Sequence, residues 1–418
     1  MLERFFVSCL RFLGLAVDAL FRSPDGRSRL RPRRVLLMLA FLPALAVAQL
    51  IHWLGFLLDE ILFRDYRKVK IREPLFVLGV PRSGTTKLHR VLAEDARFTT
   101  FRTWECLFAL SVTERRFWLG IAALDRRIGC PLGRGLARLE RLVFASLDDV
   151  HAMTLNDPEE DYFALMPILS CFILVLPFPF SSHLWRMGWF DAQMPANERK
   201  RILDFYERCL QKHLYVHGPD KRLLSKNAAF APLAQSLVDR FPDARFIGCL
   251  RDPVETVPSQ LSSIGPGLAF FGVPADSPVV RERMIDQLAF YYRNLTTAFD
   301  RLPANRAVWI PMTRMKAGIA ATLTAVYEQL ELPMAQSFAA TLAAEDQHTR
   351  AYRSGHRYHL EQFGLDAADI YRRFSAAYAI PALAGPSSQG QTEATARPRA
   401  SADPIAADLA QAEEAISC

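Results

Sequence analysis

The stretch Gly79-Val-Pro-Arg-Ser-Gly-Thr-Thr86 carries two glycines with four residues between them. The apolar run before it, Leu75–Val80, follows Pro74 and is typical of a buried parallel strand. The run after it, Thr86–Ala93, has apolar residues at helical spacing. Glycines in such a turn let the backbone approach an anion, and the N–H groups of the loop and of the first helical turn point at it. The stretch therefore predicts an anion-binding loop between a strand and a helix. An ordinary glycine-containing turn is the alternative.

One departure separates this loop from that of a nucleoside triphosphatase. A triphosphatase places lysine directly after the second glycine, whereas Thr85 stands there and the positive charge lies earlier, at Arg82. The sequence also offers no convincing aspartate at a strand end for magnesium. These differences disfavour a clamp for the outer phosphates of a triphosphate.

Three further apolar runs predict strands, with helices between them, at Arg222–Lys226, Ala244–Leu250 and Ala307–Met312. Strands that alternate with helices indicate a parallel, doubly wound sheet. The expected fold class is α/β, a P-loop-type three-layer fold with a central parallel sheet flanked by helices. We expect this domain to span residues 71–384.

The N-terminal region, residues 1–70, is predicted to form apolar helices. Residues 35–58 are uncharged and as a helix reach roughly 36 Å, enough to cross a bilayer core. Both flanks are basic, so the charges give no orientation. Packing on the domain or lying in the membrane interface is favoured over a true span. A second apolar stretch, residues 165–180, is too short to span. Core is favoured for it over a surface that dips into lipid or receives an apolar substrate. Residues 385–418 are predicted to form a disordered tail.

Composition excludes some classes of protein. The 418 residues carry a formal net charge of +7, which suits anionic ligands or lipid headgroups but indicates no nucleic-acid partner. The seven cysteines are scattered and form no CxxC pair, so neither a zinc site nor a disulfide framework is indicated. Reduced thiols in the cytoplasm are the simpler interpretation.

Two motifs together resemble the sulfotransferases that use 3′-phosphoadenosine 5′-phosphosulfate (PAPS), especially the bacterial branch related to tyrosylprotein and carbohydrate sulfotransferases. The first motif resembles that family's 5′-phosphosulfate loop and consists of Pro81, Arg82, Ser83, Gly84, Thr85 and Thr86. The second is RFIGCLRDPVETVPS, residues 245–259. The resemblance implies that Arg251 and Ser259, eight residues apart, bind the 3′-phosphate. An arginine at a strand end and a hydroxyl on the next helix can reach one phosphate.

Two weaker matches support this resemblance. Leu223–Phe230 resembles a family segment whose lysine lies near the donor, which makes Lys226 a candidate for stabilising the transferring group. The proline and histidine that often follow are replaced here by two alanines. The late segment His359–Leu365 also matches, and three residues just before it are candidates to close over the nucleotide: Arg353, His356 and Arg357.

The acceptor must lose a proton as it attacks, so a base is expected within hydrogen-bond reach. Glu105 resembles the base of the tyrosylprotein branch and ranks first. Glu160, in a segment that begins at His151 and contains Pro-Glu-Glu-Asp, ranks second, although such acids also begin a helix well without any catalytic role. Arg82 and Lys226 are expected to stabilise charge during an in-line displacement.

The sequence thus predicts a sulfotransferase that moves a sulfuryl group from PAPS to a hydroxyl or amine of a small-molecule, lipid or glycan acceptor. Because a sulfuryl group carries less charge than a phosphoryl group, no metal is expected. The protein is expected in the cytoplasm, in peripheral contact with the inner face of a membrane. Two alternatives stay open: a degenerate P-loop kinase or triphosphatase, and a non-catalytic membrane-associated nucleotide-binding module.

Overall fold

The computed structural model describes residues 1–22, 32–144, 154–274, 277–349 and 360–383. Residues 1–383 form one compact unit. The strands are β1 (Leu75–Gly79), β2 (Phe98–Thr99), β3 (Arg222–Lys226), β4 (Arg245–Leu250) and β5 (Ala307–Pro311). The helices are α1 (Leu2–Phe21), α2 (Pro32–Leu62), α3 (Thr85–Leu92), α4 (Thr103–Phe108), α5 (Val112–Arg127), α6 (Pro131–Phe144), α7 (Ser182–Met187), α8 (Phe190–Gln193), α9 (Ala196–His217), α10 (Ala234–Arg240), α11 (Pro253–Phe270), α12 (Pro278–Phe299), α13 (Met312–Ala317), α14 (Ile319–Gln329), α15 (Gln336–Thr349), α16 (Ala367–Arg373) and α17 (Ser375–Tyr378).

All five strands are parallel and lie in the order β2-β3-β1-β4-β5. β1 is central: Leu75 is in register with Leu224 of β3 on one side and with Arg245 of β4 on the other. The chain therefore winds away from β1 in both directions. In such a sheet, ligands bind where the winding reverses, at the carboxyl ends of the strands.

The sheet is covered on both faces, and alternate residues of one strand serve different cores. Phe76 of β1 stacks on Phe246 of β4 with ring centroids 5.5 Å apart, in the larger core. Val77 and Ile247, one residue further along, lie in the second core, beneath α3 and α14. Burial on both faces explains why these strands read as continuous apolar runs.

The predicted fold class is confirmed, and four predicted strands are present to within a residue at each end. β2 was not predicted, because two residues at the sheet edge carry no periodicity. The apolar residues 165–180 form short 3₁₀ turns, Asp161–Ile168 and Phe172–Val175, which are largely buried as expected for core.

Both N-terminal helices are present, but only α2 is strongly apolar, because charged residues interrupt α1. Within the described residues, α2 is the one helix long and apolar enough to cross a membrane. α2 also makes specific polar contacts with the domain. Trp53 Nε1 donates to the carbonyl of Pro167 at 3.1 Å, and Gln49 Nε2 donates to that of Met166 at 2.8 Å.

The end of β1 is fixed by close backbone packing. A Cβ on Gly79 would lie 2.5 Å from the carbonyl oxygen of Cys249 in β4, and Gly79 has a φ of 157°. We predict that Gly79→Ala lowers the free energy of unfolding by about 1–3 kcal/mol, because the added methyl group must push β1 and β4 apart. Denaturant unfolding measures this.

The control is Gly120→Ala, since Gly120 lies in α5 with no atom near its would-be Cβ. That change should be neutral or stabilising, as alanine is the better helix former. Equal stability of Gly79→Ala and wild type would contradict the close packing.

Candidate active site at the carboxyl ends of three strands

The loop after β1 is organised by its own short side chains. Ser83 is fully buried, and its Oγ donates to the carbonyl of Val80 at 2.6 Å. Gly84 has a φ of 86°, a conformation that favours glycine, and α3 begins at the next residue. The first N–H groups of a helix have no partner within it. The loop therefore presents free amides at the start of α3, as an anion site requires.

Arg82 links this loop to the end of β4. It has a φ of 67°, which is uncommon for a residue other than glycine. Its carbonyl accepts a hydrogen bond from Arg251 Nη1 at 3.2 Å, and its own Nε donates to Ser259 Oγ at 3.3 Å. Arg251 Nη1 also lies 3.5 Å from the same Oγ. Two guanidinium groups therefore converge on one buried hydroxyl, an arrangement suited to an anion.

The start of α11 holds Arg251 in position. Asp252 caps the helix, because its Oδ1 accepts from the backbone N–H of Val254 at 2.9 Å. The hydroxyl of Tyr378 donates to the same oxygen at 2.7 Å. The hydroxyl of Tyr292 donates to the carbonyl of Arg251. Helices from the C-terminal part of the chain thus fix the geometry at this strand end.

Lys226, at the end of β3, lies on the other side of the loop. Its side chain is almost fully buried, and Nζ donates to Glu160 Oε1 at 2.6 Å and to Thr86 Oγ1 at 3.3 Å. One cation is therefore shared between the first turn of α3 and a partly exposed carboxylate. The fold brings five of the predicted site residues to one edge of the sheet: Arg82, Thr86, Lys226, Arg251 and Ser259.

An apolar cavity of about 200 Å³ opens beside this edge. Pro81 of the loop and the Glu160 carboxylate line it together with side chains that are mainly aromatic or aliphatic: Phe172, Ile173, Leu176, Trp185, Leu268, Met284 and Tyr291. The sequence had suggested residues 165–180 as core. In the structure they supply part of the cavity wall as well.

Comparison with known proteins agrees with this geometry. A family model described as "Sulfotransferase family" matches residues 74–336, which is more than half of the chain. The chain belongs to the sulfotransferase family. Two solved structures share the fold: sulfotransferase STF9 from Mycobacterium avium has a TM-score of 0.69 and 18% identity, covering 90% of this chain and 95% of that one. Sulfotransferase STF1 from Mycobacterium tuberculosis has a TM-score of 0.65 and 19% identity, covering 89% and 93%.

Curated relatives match over a shorter length. Omega-hydroxy-beta-dihydromenaquinone-9 sulfotransferase Stf3 from Mycobacterium tuberculosis is 28% identical over 193 residues. Stf3 from Mycobacterium bovis gives the same figures. The match covers 45% of this chain and 44% of each relative, so it spans less than half of either protein.

In this sulfotransferase, Glu105 does not present a carboxylate to the cavity. It has no exposed surface. Its Oε1 accepts from Arg115 Nε at 2.8 Å and contacts His217 Nε2 at 2.7 Å, while Oε2 accepts the backbone N–H of Arg102 at 3.0 Å. Oε1 therefore holds α4 to α5 and α9, and Oε2 caps the start of α4 itself. An acceptor has no route to this carboxylate, so we now rank Glu105 below Glu160 as the base.

The charges around Glu105 keep it ionised. Burial alone would raise the pKa of this carboxyl, but His213 and Arg115 outweigh burial and hold the pKa well below its usual range. Burial lowers the pKa of His213 to about 4. Among the described residues, Glu105, His213 and His217 place ligand atoms within 4.8 Å of one another, as a metal site would. Because Arg115 already occupies the shared oxygen, we interpret the cluster as a buried ion pair.

Asp161, next to Glu160, is a residue that the sequence analysis did not single out. It is buried, and its carboxylate accepts from Tyr206 Oη at 2.6 Å and Ser225 Oγ at 2.9 Å, and from Asn227 Nδ2. Burial raises its pKa to about 6, although these hydrogen bonds oppose the shift. The network ties the Glu160 segment to the end of β3, where Lys226 lies. Its adjacency to Glu160 in the acidic segment was the signal.

Four sequence candidates lie outside the described residues: His151, Arg353, His356 and Arg357.

We predict that Glu105→Gln lowers the free energy of unfolding by about 3–5 kcal/mol, because the buried Arg115 loses its counter-charge. Wild-type stability should also fall as the pH drops below about 4.5, because Glu105 becomes protonated in the unfolded chain but stays ionised in the folded protein. The Glu105→Gln variant should lack this part of the pH dependence, because it has no carboxyl group at position 105. Denaturant unfolding across pH measures both.

The control is Glu328→Gln, at an exposed position on α14. It should change stability by less than about 0.5 kcal/mol. A Glu105→Gln protein as stable as this control would contradict the structural role.

Proposed function

We propose that this chain transfers a sulfuryl group from PAPS to a hydroxyl group on an apolar acceptor. The observation that carries the proposal is the convergence of Arg251, Ser259 and Arg82 beside the loop amides at one sheet edge. A donor with anionic groups at both the 3′ and the 5′ position of one ribose needs two such anion sites side by side. A triphosphate has all its phosphates at one end and would leave the Arg251 site empty.

The donor would bind through two sets of groups. The 5′-phosphosulfate would accept hydrogen bonds from the amides of Ser83 to Thr86 and from the hydroxyls of Thr85 and Thr86. The 3′-phosphate would lie on Arg251 and Ser259. Arg82 contributes its backbone to the first set and its guanidinium to the hydroxyl of the second, so we propose that it couples the two ends of the donor.

Glu160 is the proposed base. It lies in the apolar cavity and contacts Lys226 at 2.6 Å. The acceptor oxygen would attack sulfur as its proton passes to Glu160, and the bond from sulfur to the bridging phosphate oxygen would break in line. Lys226, which already reaches Thr86, would stabilise the negative charge on that leaving oxygen. The products are the sulfated acceptor and 3′,5′-adenosine bisphosphate, and the step uses no metal.

An apolar acceptor suits the cavity, whose wall is mostly apolar, although Gln260, Gln287 and Tyr291 also line it. The relative Stf3 is named for a hydroxylated dihydromenaquinone, an acceptor of the same general character. Such an acceptor would place its hydroxyl at Glu160 and the rest of its body among the aromatic side chains. We further propose that residues 71–384 form the sulfotransferase domain and that the enzyme works in the cytoplasm, where its acceptor would reach it from a membrane.

The donor can be tested by calorimetry with 3′,5′-adenosine bisphosphate and, separately, with ATP and magnesium. We expect the bisphosphate to bind more tightly. Arg251→Ala should weaken it roughly 10- to 100-fold, because a charge-assisted hydrogen bond contributes about 1.5–3 kcal/mol. Arg301→Ala, which removes an exposed arginine paired with Asp239, is the matched control and should bind as wild type does. Tighter binding of ATP than of the bisphosphate would contradict the proposal. So would an Arg251→Ala variant that binds the bisphosphate as tightly as wild type does.

The base can be tested by following label from PAPS into a hydroxylated menaquinone derivative. Glu160→Gln should lower kcat by about 10²–10⁴-fold, since the acceptor proton loses its base. Its affinity for 3′,5′-adenosine bisphosphate should stay unchanged.

Glu328→Gln, at the exposed position on α14, is the control and should retain turnover. If Glu160→Gln turns over at the wild-type rate, Glu160 is not the base.

A further inference from the structure

The hairpin formed by α5 and α6 is held by one buried carboxylate. Asp125, near the end of α5, accepts the backbone N–H groups of Leu132 and Gly133 at 2.8 Å each. Its carbonyl accepts from the N–H of Cys130, also at 2.8 Å. These bonds cap the start of α6 and close the turn. The hairpin is therefore a defined element with a fixed orientation of its helices.

The hairpin exposes large apolar side chains to an unusual extent. On α6, Leu132, Leu136 and Leu139 follow one another at spacings of four and three residues, so they share one face of the helix. They are 61%, 46% and 56% exposed. The neighbouring part of the hairpin adds exposed Phe117, Trp118, Leu124 and Ile128. Exposed apolar residues concentrated in one element in this way indicate an interaction site.

The same segment is strongly basic. Residues 126–139 contain four arginines and neither aspartate nor glutamate. Arg126 and Arg127 end α5, and Arg134 and Arg138 lie on the side of α6 opposite the leucines; all four are exposed. An apolar stripe opposite an arginine-bearing face is the pattern of a helix that lies in a membrane interface. Arginine side chains can also extend from such a helix to the headgroups.

The hairpin adjoins α2, which also exposes apolar side chains. The N-terminal end of α5 is bound to α2, because Asp59 accepts from the backbone N–H groups of Val112 and Thr113 at 2.9 and 2.8 Å. Along α2, further leucines are exposed: Leu50, Leu54 and Leu57. The basic hairpin thus adjoins an apolar helix rather than a polar surface.

We propose that the α5–α6 hairpin docks on an anionic lipid bilayer, with Leu132, Leu136 and Leu139 inserted at the boundary between headgroups and acyl chains. Charge decides the occupant. A second copy of the chain in a two-fold dimer would present the same segment, residues 126–139, which contains no acidic side chain to pair with the four arginines. A bilayer with anionic headgroups neutralises them instead. The proposal does not depend on the chemistry proposed above.

The test is co-sedimentation of the full chain with phosphatidylcholine vesicles that contain or lack phosphatidylglycerol. Replacing the three α6 leucines with serine should weaken binding to both kinds of vesicle. Replacing the four arginines with glutamine should weaken binding to the anionic vesicles roughly tenfold or more and leave binding to the neutral ones unchanged. Circular dichroism melts should match wild type, because every substituted side chain is exposed.

Matched controls change as many exposed residues elsewhere. Serine replaces Phe270, Val279 and Tyr371 in the first control, and glutamine replaces Lys200, Lys221, Arg301 and Arg372 in the second. Both should bind vesicles as wild type does. Hairpin variants that bind as wild type would overturn the proposal. So would a leucine variant that keeps vesicle binding but changes the oligomeric state in sedimentation velocity, because the face would then be a contact between copies.

Discussion

The close contact between Gly79 and the carbonyl oxygen of Cys249 is the constraint on which the candidate site depends. Since no side chain fits there, the end of β1 lies directly against the end of β4. The chain then turns through Val80, whose N–H donates to the same carbonyl at 3.3 Å. This places the backbone of Arg82 within hydrogen-bond distance of Arg251. The two proposed anion sites are therefore brought close by the packing of the backbone and are linked by the side chains of Arg251 and Arg82.

Adjacent carboxylates in the acidic segment have opposite surroundings. Glu160 lies at the cavity and pairs with Lys226, whereas Asp161 points into the protein and is held by three donors from α9 and the end of β3. The buried residue fixes the backbone from which the partly exposed one extends. This anchoring would hold the proposed base, Glu160, in place for proton transfer.

Local features of the sequence were sufficient to predict the loop, the four longer strands and the residues that end them. A parallel sheet brings the ends of neighbouring strands to one edge, so Lys226 and Arg251 could be grouped with the loop before any coordinates were known. Glu105 could not be placed in this way. Its partners Arg115 and His217 lie 10 and 112 positions further along the chain, and no periodicity near Glu105 reveals that they enclose it. Tertiary partners decide whether such a carboxylate is reactive or structural.

The apolar helix α2 illustrates the same limit. Its composition permits a membrane span, yet it carries Asp59, which pairs with the buried Lys212 at 2.6 Å and also binds the start of α5. Withdrawing α2 into a bilayer would leave Lys212 buried without its counter-charge and would carry Asp59 into hydrocarbon. Each of these costs several kcal/mol. Hydropathy records the apolar residues of a helix but not the ionic contacts, such as that of Asp59 with Lys212, that hold it to the domain. For that reason α2 is better understood as a helix packed on the domain than as an independent anchor.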